Sequence, residues 1–449
     1  MKPRTDIPKA TLACILLALV LVAYAGLRVL NLSQVAPKVR VTVDTASYVR
    51  ISQESLFGSR FLAGSRPFVF PLVLKLLGND DETVVWLQGI ISIISWSVLA
   101  ISAAYSFRVL FLKFTAFGLI LLFSLSRYIL GWDSVLLTES LSLSLMALFI
   151  AGWLWLAKGW HWGKAIFILT VAFLWTFSRD TNAWVVFLGA LFLLLLVGFR
   201  LVDRKCLTLA GALIFMFFVS NLSADLGRRW VFPLQNILGS RILPNGQATD
   251  FLARCGMPVS SQLMELSGGF GNSAGREFHV DPALEEYRLW LYQNGKRCYV
   301  KWLLSEPVES IKAPLAEFNS LISMRAIKPS SFSKKFSPVL PRMLEAILFP
   351  RPGPLILLAI IWAGILIAIV TKAWLQNIIW WVVIGINILV LPHYLITWHG
   401  DAMGIYRHMI SAGVQFYLGA WLFVLLVLDS LLPFKTPEEG SREPLFQKT

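Results

Sequence analysis

Two acidic residues beside long apolar segments are the first candidates for chemistry, because a charged side chain at membrane depth is costly and usually functional. Asp44 lies four residues before Tyr48, and this spacing places both side chains on one face of a short helix. Glu139 opens a long apolar segment and follows Asp133 in the preceding turn. A carboxylate followed by several turns of apolar helix needs a cationic or polar partner. The sequence therefore predicts a functional Glu139, whereas Asp44 is equally well interpreted as a surface acid at a helix N-terminus.

A second group of polar residues lies near the C-terminus, where three of the five histidines occur between residues 393 and 408. The spacing matches no standard zinc or iron pattern, so we assign no metal ligands here, and a divalent cation as cofactor stays open. Arg407 and His408 begin a predicted helix, where side chains and free N–H groups can donate together to a phosphate. Anchoring of a helix at the membrane interface is an equally common reason for such residues. The candidate ligand-binding residues of this segment are His399, Tyr406, Arg407 and His408.

The elements that position these residues must be membrane-spanning helices. Of the 449 residues 57% are hydrophobic and 15% are charged, the mean hydropathy is +0.68, and a soluble protein carries about 25% charged residues. Uncharged runs of about 20 residues can cross a bilayer. The sequence therefore predicts an all-α polytopic membrane protein of about ten transmembrane helices, near residues 12–32, 83–106, 111–130, 135–157, 164–178, 182–199, 206–223, 354–372, 376–396 and 409–432.

Charge in the short loops predicts an N-terminus on the inside, because cytoplasmic loops are enriched in Lys and Arg. The same enrichment accounts for the net charge of +14 and argues against nucleic-acid binding. This orientation divides the chain into an N-terminal transmembrane module at 1–223, whose first outside loop is 33–82, a mainly helical extracytoplasmic insertion at 224–353, C-terminal transmembrane helices at 354–432 and a cytoplasmic tail at 433–449.

The first outside loop is unusually basic for its predicted side of the membrane, which indicates that something anionic is bound there. Its basic residues are Lys38, Arg40, Arg50, Arg60, Arg66 and Lys75. Two further pairs attract attention. Arg179 and Asp180 are interpreted as a structural ion pair or a helix cap, and Cys255 and Cys298 are candidates for a disulfide in an oxidising compartment.

The order of these features resembles the GT-C superfamily of membrane glycosyltransferases, in the branch that contains protein O-mannosyltransferases and lipid A aminoarabinose transferases. The resemblance covers roughly residues 10 to 160. It rests on one span from an inside N-terminus, then an outside loop with Asp44 and Tyr48, Arg66-Pro67 before an interfacial helix that ends in Leu77-Gly78, and Thr138-Glu139-Ser140-Leu141 at the opening of the fourth span, with added support from Tyr406-Arg407-His408.

The resemblance implies transfer of a sugar from a polyprenyl-phosphate-linked donor to an acceptor hydroxyl on a lipid, a glycan or a protein. It places the site on the extracytoplasmic face of the bacterial cytoplasmic membrane, among membrane lipids. The family's catalytic acids correspond to Asp44 and Glu139. The residues expected to contact substrate are Tyr48, Arg66, Asp133, His399, Tyr406, Arg407 and His408.

The predicted chemistry needs positive charge for the departing phosphate and a base for the acceptor hydroxyl. Arg66, Arg407 and His408 are expected to supply the charge, and a partly desolvated Asp44 is expected to have a raised pKa suited to a base. Two alternatives stay open. A transporter or flippase of an amphiphilic anion would also need acids and basic residues, although it predicts inverted repeats and charges at the midplane. The second alternative is a relative that binds polyprenyl phosphate without turnover.

Overall fold

The computed structural model describes residues 9–270, 275–375 and 377–432. Their regular secondary structure is helical, and the only β-type pairing among them is an isolated bridge between Arg40 and Val135. The helices of the N-terminal half are α1 Lys9–Val35, α2 Val43–Gln53, α3 Ser59–Leu62, α4 Val69–Leu76, α5 Asp81–Ala104, α6 Leu110–Leu125, α7 Arg127–Leu130, α8 Glu139–Ala157, α9 Trp162–Thr176, α10 Asp180–Gly198 and α11 Cys206–Leu226.

The helices of the C-terminal half include several short ones before the last spans. They are α12 Val231–Ile237, α13 Gly246–Arg254, α14 Ser261–Glu265, α15 Gly275–Val280, α16 Glu285–Trp290, α17 Lys296–Ser305, α18 Pro307–Ile322, α19 Arg342–Leu348, α20 Pro354–Val370, α21 Ile379–Ile388, α22 Val390–Gly400, α23 Ile405–His408 and α24 Ile410–Leu431. The predicted tail at 433–449 lies outside the described residues.

Within the described ranges, seven helical segments are long and apolar enough to cross a bilayer, and one of them is α21 together with α22. An eighth crossing is formed if α6 and residues 127–134, which meet at a bend of 51°, are one span. The two remaining predicted spans coincide with the shorter helices α9 and α20. The chain therefore has the architecture of a polytopic helical membrane protein, while the exact number of ten spans stays a prediction.

Helices α8 and α24 lie at the centre of the bundle. In their most apolar windows 78% and 83% of the residues are buried, against 11% for α1. Small residues allow this close packing, as expected for helices without a hydrophobic driving force between them. A Cβ atom at Gly419 of α24 would lie 2.9 Å from the Asn387 side chain of α21, so this contact requires glycine.

The predicted insertion at 224–353 is helical but consists of two parts. Residues from Val231 to Tyr299 form a small hydrophobic core of their own, and a disulfide joins Cys255 to Cys298 within it. Phe318 of α18 and Phe349 instead belong to the core of the membrane bundle. The second part of the insertion is therefore an extension of the bundle.

The insertion, together with the end of α11 where it begins, contacts the first loop at one end of the bundle, here called the site end. Ser223 donates a hydrogen bond of 2.8 Å to the carbonyl of Leu62, and Ser333 donates one of 2.5 Å to the carbonyl of Lys38. A Cβ atom at Gly227 would lie 2.2 Å from the carbonyl oxygen of Gly64, so the two backbones meet without side chains between them. Both predicted outside regions thus lie at the same end.

Candidate functional site

Asp44 is positioned by two backbone links between its helix and the start of α8. Arg40 and the segment before α8 exchange hydrogen bonds, of 2.9 Å to Ser134 and 3.0 Å from Leu136. Thr45 donates from its hydroxyl to the carbonyl of Leu136 at 2.9 Å and accepts from the N–H of Thr42 at 3.0 Å. These contacts fix the first turn of α2, which carries Asp44, beside the N-terminus of α8, which begins at Glu139.

Both carboxylate oxygens of Asp44 are bound by arginines from distant parts of the chain. Arg66 Nη2 lies 2.7 Å from Oδ1, and Arg407 Nη2 lies 2.6 Å from Oδ2. Burial opposes ionisation of Asp44, but the Arg407 and Arg66 guanidinium groups outweigh this effect and lower its pKa. The expectation of a raised pKa is therefore wrong for this arrangement, because desolvation is not the only influence on the carboxylate.

Glu139 faces the same Arg407 from the other side. Its Oε1 lies 3.3 Å from Arg407 Nε and 3.6 Å from Arg179 Nη1, and its side chain is 4% exposed. Burial disfavours the charged form of Arg407, but the charges of Glu139 and Asp44 more than compensate and raise its pKa. Arg407 therefore links the two predicted catalytic acids.

Arg179 and His408 complete the group. Arg179 Nη2 lies 2.7 Å from His408 Nδ1, and His408 Nε2 lies 3.6 Å from Asp401 Oδ2. Burial, with the nearby charges of Arg179 and Arg407, lowers the pKa of His408 well below its usual value. His408 is therefore neutral, and the prediction that it supplies positive charge is wrong.

Arg179 and Asp180 form neither an ion pair with each other nor a side-chain cap at the N-cap of α10, because the two side chains have different partners. Asp180 pairs with Arg229 at 3.0 Å, while Arg179 turns to Glu139. Arg179 thus provides the positive charge that had been assigned to His408. The six residues Asp44, Arg66, Glu139, Arg179, Arg407 and His408 are called the acid–arginine cluster below.

Tyr48 supports one wall of the cluster. Its ring is 7% exposed, and the Arg66 guanidinium carbon lies 5.0 Å from the ring centroid, within the range of a cation–π contact. Arg66 Nε also donates to the hydroxyl of Ser47 at 2.7 Å. Burial raises the pKa of the Tyr48 phenol, so it remains protonated. Tyr48 orients Arg66 in this structure.

Three predicted contact residues lie outside the cluster. Asp133 pairs with Arg28 at 2.5 Å in a buried site. His399 is held by the Tyr299 hydroxyl and the Ser310 carbonyl, each at 2.9 Å, between α22 and the insertion. Tyr406 is 44% exposed and lines a separate cavity. The sequence did not indicate that these three residues lie away from the cluster, because their positions depend on how the helices pack against one another.

The cluster contains several polar atoms without hydrogen bonds. Within the described parts of the chain, Glu139 Oε2 is buried without a hydrogen-bond partner, and Arg179 Nη1 and Arg407 Nε make only the longer ion-pair contacts with Glu139 Oε1. Most buried polar atoms in proteins are hydrogen-bonded, so three such atoms in one group are unusual. They are suited to a polar ligand. No group of three or more His, Cys, Asp or Glu side chains in these parts is placed to hold a metal ion.

Below the cluster, a cavity of about 570 Å³ runs through the membrane part of the bundle. Met146 of α8 lines it, seven residues or about 10 Å along the helix from Glu139. Other lining residues include Trp153, Phe192 and Trp381, so the walls are mainly apolar, while the charged Arg200 and Asp203 line the end of the cavity away from the cluster. The cavity is suited to a hydrocarbon chain.

Comparison of the whole chain with known proteins adds no relative. No family model, no curated protein and no solved structure matches it. The resemblance to the GT-C superfamily therefore rests on the order of its short motifs around Asp44, Arg66 and Glu139. Any activity has to be supported by the chemistry of the cluster.

Proposed function

We propose that the protein is a membrane glycosyltransferase that moves a sugar from a polyprenyl-phosphate-linked donor to an acceptor hydroxyl on the extracytoplasmic side of a bacterial cytoplasmic membrane. The observation that carries the proposal is the clamp on Asp44, whose two oxygens are bound by Arg66 and Arg407 at 2.7 and 2.6 Å. A carboxylate between two guanidinium groups occupies the kind of site that a phosphate prefers.

Binding of the donor phosphate would compete with Asp44 for the same two arginines. Each arginine that turns to the phosphate removes a positive charge and a hydrogen bond from the carboxylate, and the pKa of Asp44 then rises. A carboxylate that gains basicity when the donor binds is a suitable general base. The lowered pKa of the free protein therefore fits a base that is inactive until the donor is present.

The reaction follows from this exchange. The acceptor oxygen attacks the anomeric carbon, the bond between that carbon and the phosphate oxygen breaks, and polyprenyl phosphate leaves with the bonding electrons. Asp44 takes the proton of the acceptor hydroxyl. The guanidinium groups of Arg66 and Arg407 stabilise the negative charge on the departing phosphate.

Glu139 has a positioning role in this proposal. It lies 3.3 Å from Arg407 and 3.6 Å from Arg179, so it holds two arginines at the phosphate site. With its charge engaged in this way, Glu139 is a poor second nucleophile. Direct displacement by the acceptor, with inversion at the anomeric carbon, is therefore favoured over double displacement.

The apolar cavity supports a lipid-linked donor. It begins about two turns below Glu139 and continues along α8, α10 and α21. A long hydrocarbon chain whose phosphate lies at the acid–arginine cluster can extend into it. A water-soluble nucleotide sugar would leave these apolar walls unused.

Sugar transfer by purified protein tests the proposal. Wild-type protein, Asp44→Asn and the control Asp81→Asn are incubated with polyprenyl-phosphate sugars and a membrane extract that supplies acceptors. Asn cannot accept the proton, so turnover by Asp44→Asn should fall on the order of 100-fold or more. Asp81 lies in the same loop region at the exposed start of α5, and its change should leave turnover unaltered.

Donor binding, measured in parallel, separates the outcomes. Retained donor binding with lost transfer supports Asp44 as the base. Near-normal transfer by Asp44→Asn would remove Asp44 from the mechanism. Wild-type protein that binds the donor and transfers no sugar would instead identify a non-catalytic polyprenyl-phosphate-binding protein.

A further inference from the structure

A second cavity at the site end has a different character from the membrane cavity. It has a volume of about 500 Å³ and is formed by the end of α18, the loop before α20 and the short helix α23. Its walls include Asn319, Ser320, Arg325, Arg351, Gly353 and Tyr406, and no acidic residue lines it. It is called the arginine pocket below.

Two arginines give the arginine pocket its charge. Neither Arg325 nor Arg351 makes a hydrogen bond or an ion pair with another residue of the described ranges. Both arginines line the same cavity, beside the Pro350 carbonyl that accepts a hydrogen bond of 2.8 Å from the Tyr417 hydroxyl. The cavity therefore carries two positive charges and no counter-charge among its lining residues.

Unusual backbone conformations lie close to both arginines, whose side chains are exposed. Arg325 follows Met324, a buried non-glycine residue with φ of +53°, and Arg351 lies two residues before Gly353, with φ of +64°. A left-handed conformation is costly for methionine and persists only where the surroundings require it. Met324 packs against Gly413 of α24, where a Cβ atom would lie 3.1 Å from Met324 Cγ. The bundle core thus determines the position of Arg325.

The helix below the arginine pocket indicates the kind of anion. α20 begins at Pro354, directly after the pocket, and its sequence is apolar along all 17 residues. Ile356, Ile360 and Ile367 are 67%, 61% and 63% exposed, and their spacing places them on one face. An amphiphile with its head in the pocket can lay its hydrocarbon chain along this face. A free anion would use only the arginines.

We propose that the arginine pocket binds the phosphate head group of a membrane lipid, as a second anion site beside the acid–arginine cluster. Arg325 and Arg351 bind the phosphate oxygens, and the Tyr406 phenol provides a further hydrogen-bond donor. Tyr406 and Arg407 are neighbours in α23, so one short helix contributes to both sites. The proposal does not depend on the transferase activity.

Native mass spectrometry of the full chain in non-ionic detergent tests the site. The probe is a short-chain phosphatidic acid, compared with the diacylglycerol of the same chains and with inorganic phosphate. The double variant Arg325→Gln/Arg351→Gln should bind phosphatidic acid at least about tenfold more weakly. Arg60→Gln is the matched control. Arg60 is exposed, as Arg325 and Arg351 are, but it lies in the first loop outside the pocket, with a side chain 83% exposed. This variant should bind as the wild type does.

Each alternative gives a distinct result. Phosphatidic acid binding by the double variant equal to that of the wild type would overturn the proposal, as would equally strong binding of diacylglycerol. Inorganic phosphate that binds as tightly as the lipid would mean a free-anion site. Loss of the lipid in Arg407→Lys, with retention in the double variant, would place the lipid in the acid–arginine cluster. Arg325→Lys/Arg351→Lys keeps the charge and should bind with intermediate affinity.

Discussion

Two of the groups at the site end in which arginine meets aspartate differ in how completely their hydrogen bonds are made. In the first, Arg28 donates to Asp133, Ser92 and Ser124 within 2.5 to 2.8 Å, and the side chains of the ion pair are 1% and 4% exposed. Ser140 donates to the other oxygen of Asp133 at 2.6 Å. Each charge has its partners inside the protein.

The acid–arginine cluster is the second group, and it is open. The side chains of Asp44, Arg66 and Arg407 are 24%, 32% and 27% exposed, and buried polar atoms of Glu139 and Arg179 lack hydrogen bonds. A saturated, buried ion pair has nothing left with which to bind a ligand. A partly exposed group whose polar atoms are incompletely hydrogen-bonded can exchange partners, so this comparison assigns structure to the first group and binding to the second.

The largest expected effect tests the structural assignment. Asp133→Asn leaves the Arg28 charge buried without a counter-charge, and breaking a buried pair in this way typically costs about 3–5 kcal/mol. We expect a large loss of folded protein and a clearly lower unfolding midpoint in detergent. Asp44→Asn is the matched change in the open group, where solvent reaches both arginines, and it should lower the midpoint much less. Equal losses of stability would remove the distinction between the two groups.

Much of the fold was predictable, because uncharged apolar runs of about 20 residues are visible in the sequence and predict membrane-spanning helices. All ten predicted spans coincide with helices or helix pairs, and the spacing of Asp44 and Glu139 indicated acids at helix N-termini.

The partners of each charge were not predictable from spacing. Arg179 and Asp180 are neighbours in the sequence, but their side chains have different partners. Asp180 is the first residue of α10 and pairs with Arg229, while Arg179 pairs with Glu139. The sequence did indicate that a buried Glu139 needs a cationic or polar partner. Only tertiary structure could identify which cation meets it. For the same reason, the sequence could not show that Asp133 pairs with Arg28 outside the cluster.

A change of geometry without a change of charge tests the binding assignment. Arg407→Lys keeps the positive charge but loses the fork that meets Asp44 and Glu139 together, and lysine cannot bind a phosphate with two parallel hydrogen bonds. We expect the donor affinity to fall by about 10- to 100-fold, since a hydrogen bond to a charged group contributes about 1.5–3 kcal/mol. Titration of the purified protein with a polyprenyl-phosphate sugar measures this.

The control is an arginine with similar geometry in a structural role. Arg108 contacts the Asp429 carboxylate through its Nε at 3.0 Å and through its backbone N–H at 2.9 Å. Asp429 lies near the C-terminal end of α24, whereas Arg407 and His408 lie just before the N-terminal end of this helix. Arg108→Lys should leave the donor affinity unchanged. A donor affinity that is unaltered in Arg407→Lys would contradict the phosphate role and leave Arg407 as a structural residue like Arg108.

The smallest expected effect concerns the charge of His408. Burial beside Arg179 and Arg407 lowers its pKa in the folded protein, whereas in the unfolded chain the value is about 6.5. Below about pH 6.5 the unfolded chain therefore binds a proton that the folded protein does not, and the free energy of unfolding decreases as the pH falls. One such group contributes a slope of at most about 1.4 kcal/mol per pH unit.

His408→Gln removes this contribution, so the stability of the variant should depend less steeply on pH between about 6.5 and 5. His161→Gln changes an exposed histidine outside the cluster and should retain the wild-type slope. Parallel slopes for His408→Gln and the wild type would mean that His408 carries a proton in the folded protein, and the cluster would then hold a further positive charge for the phosphate.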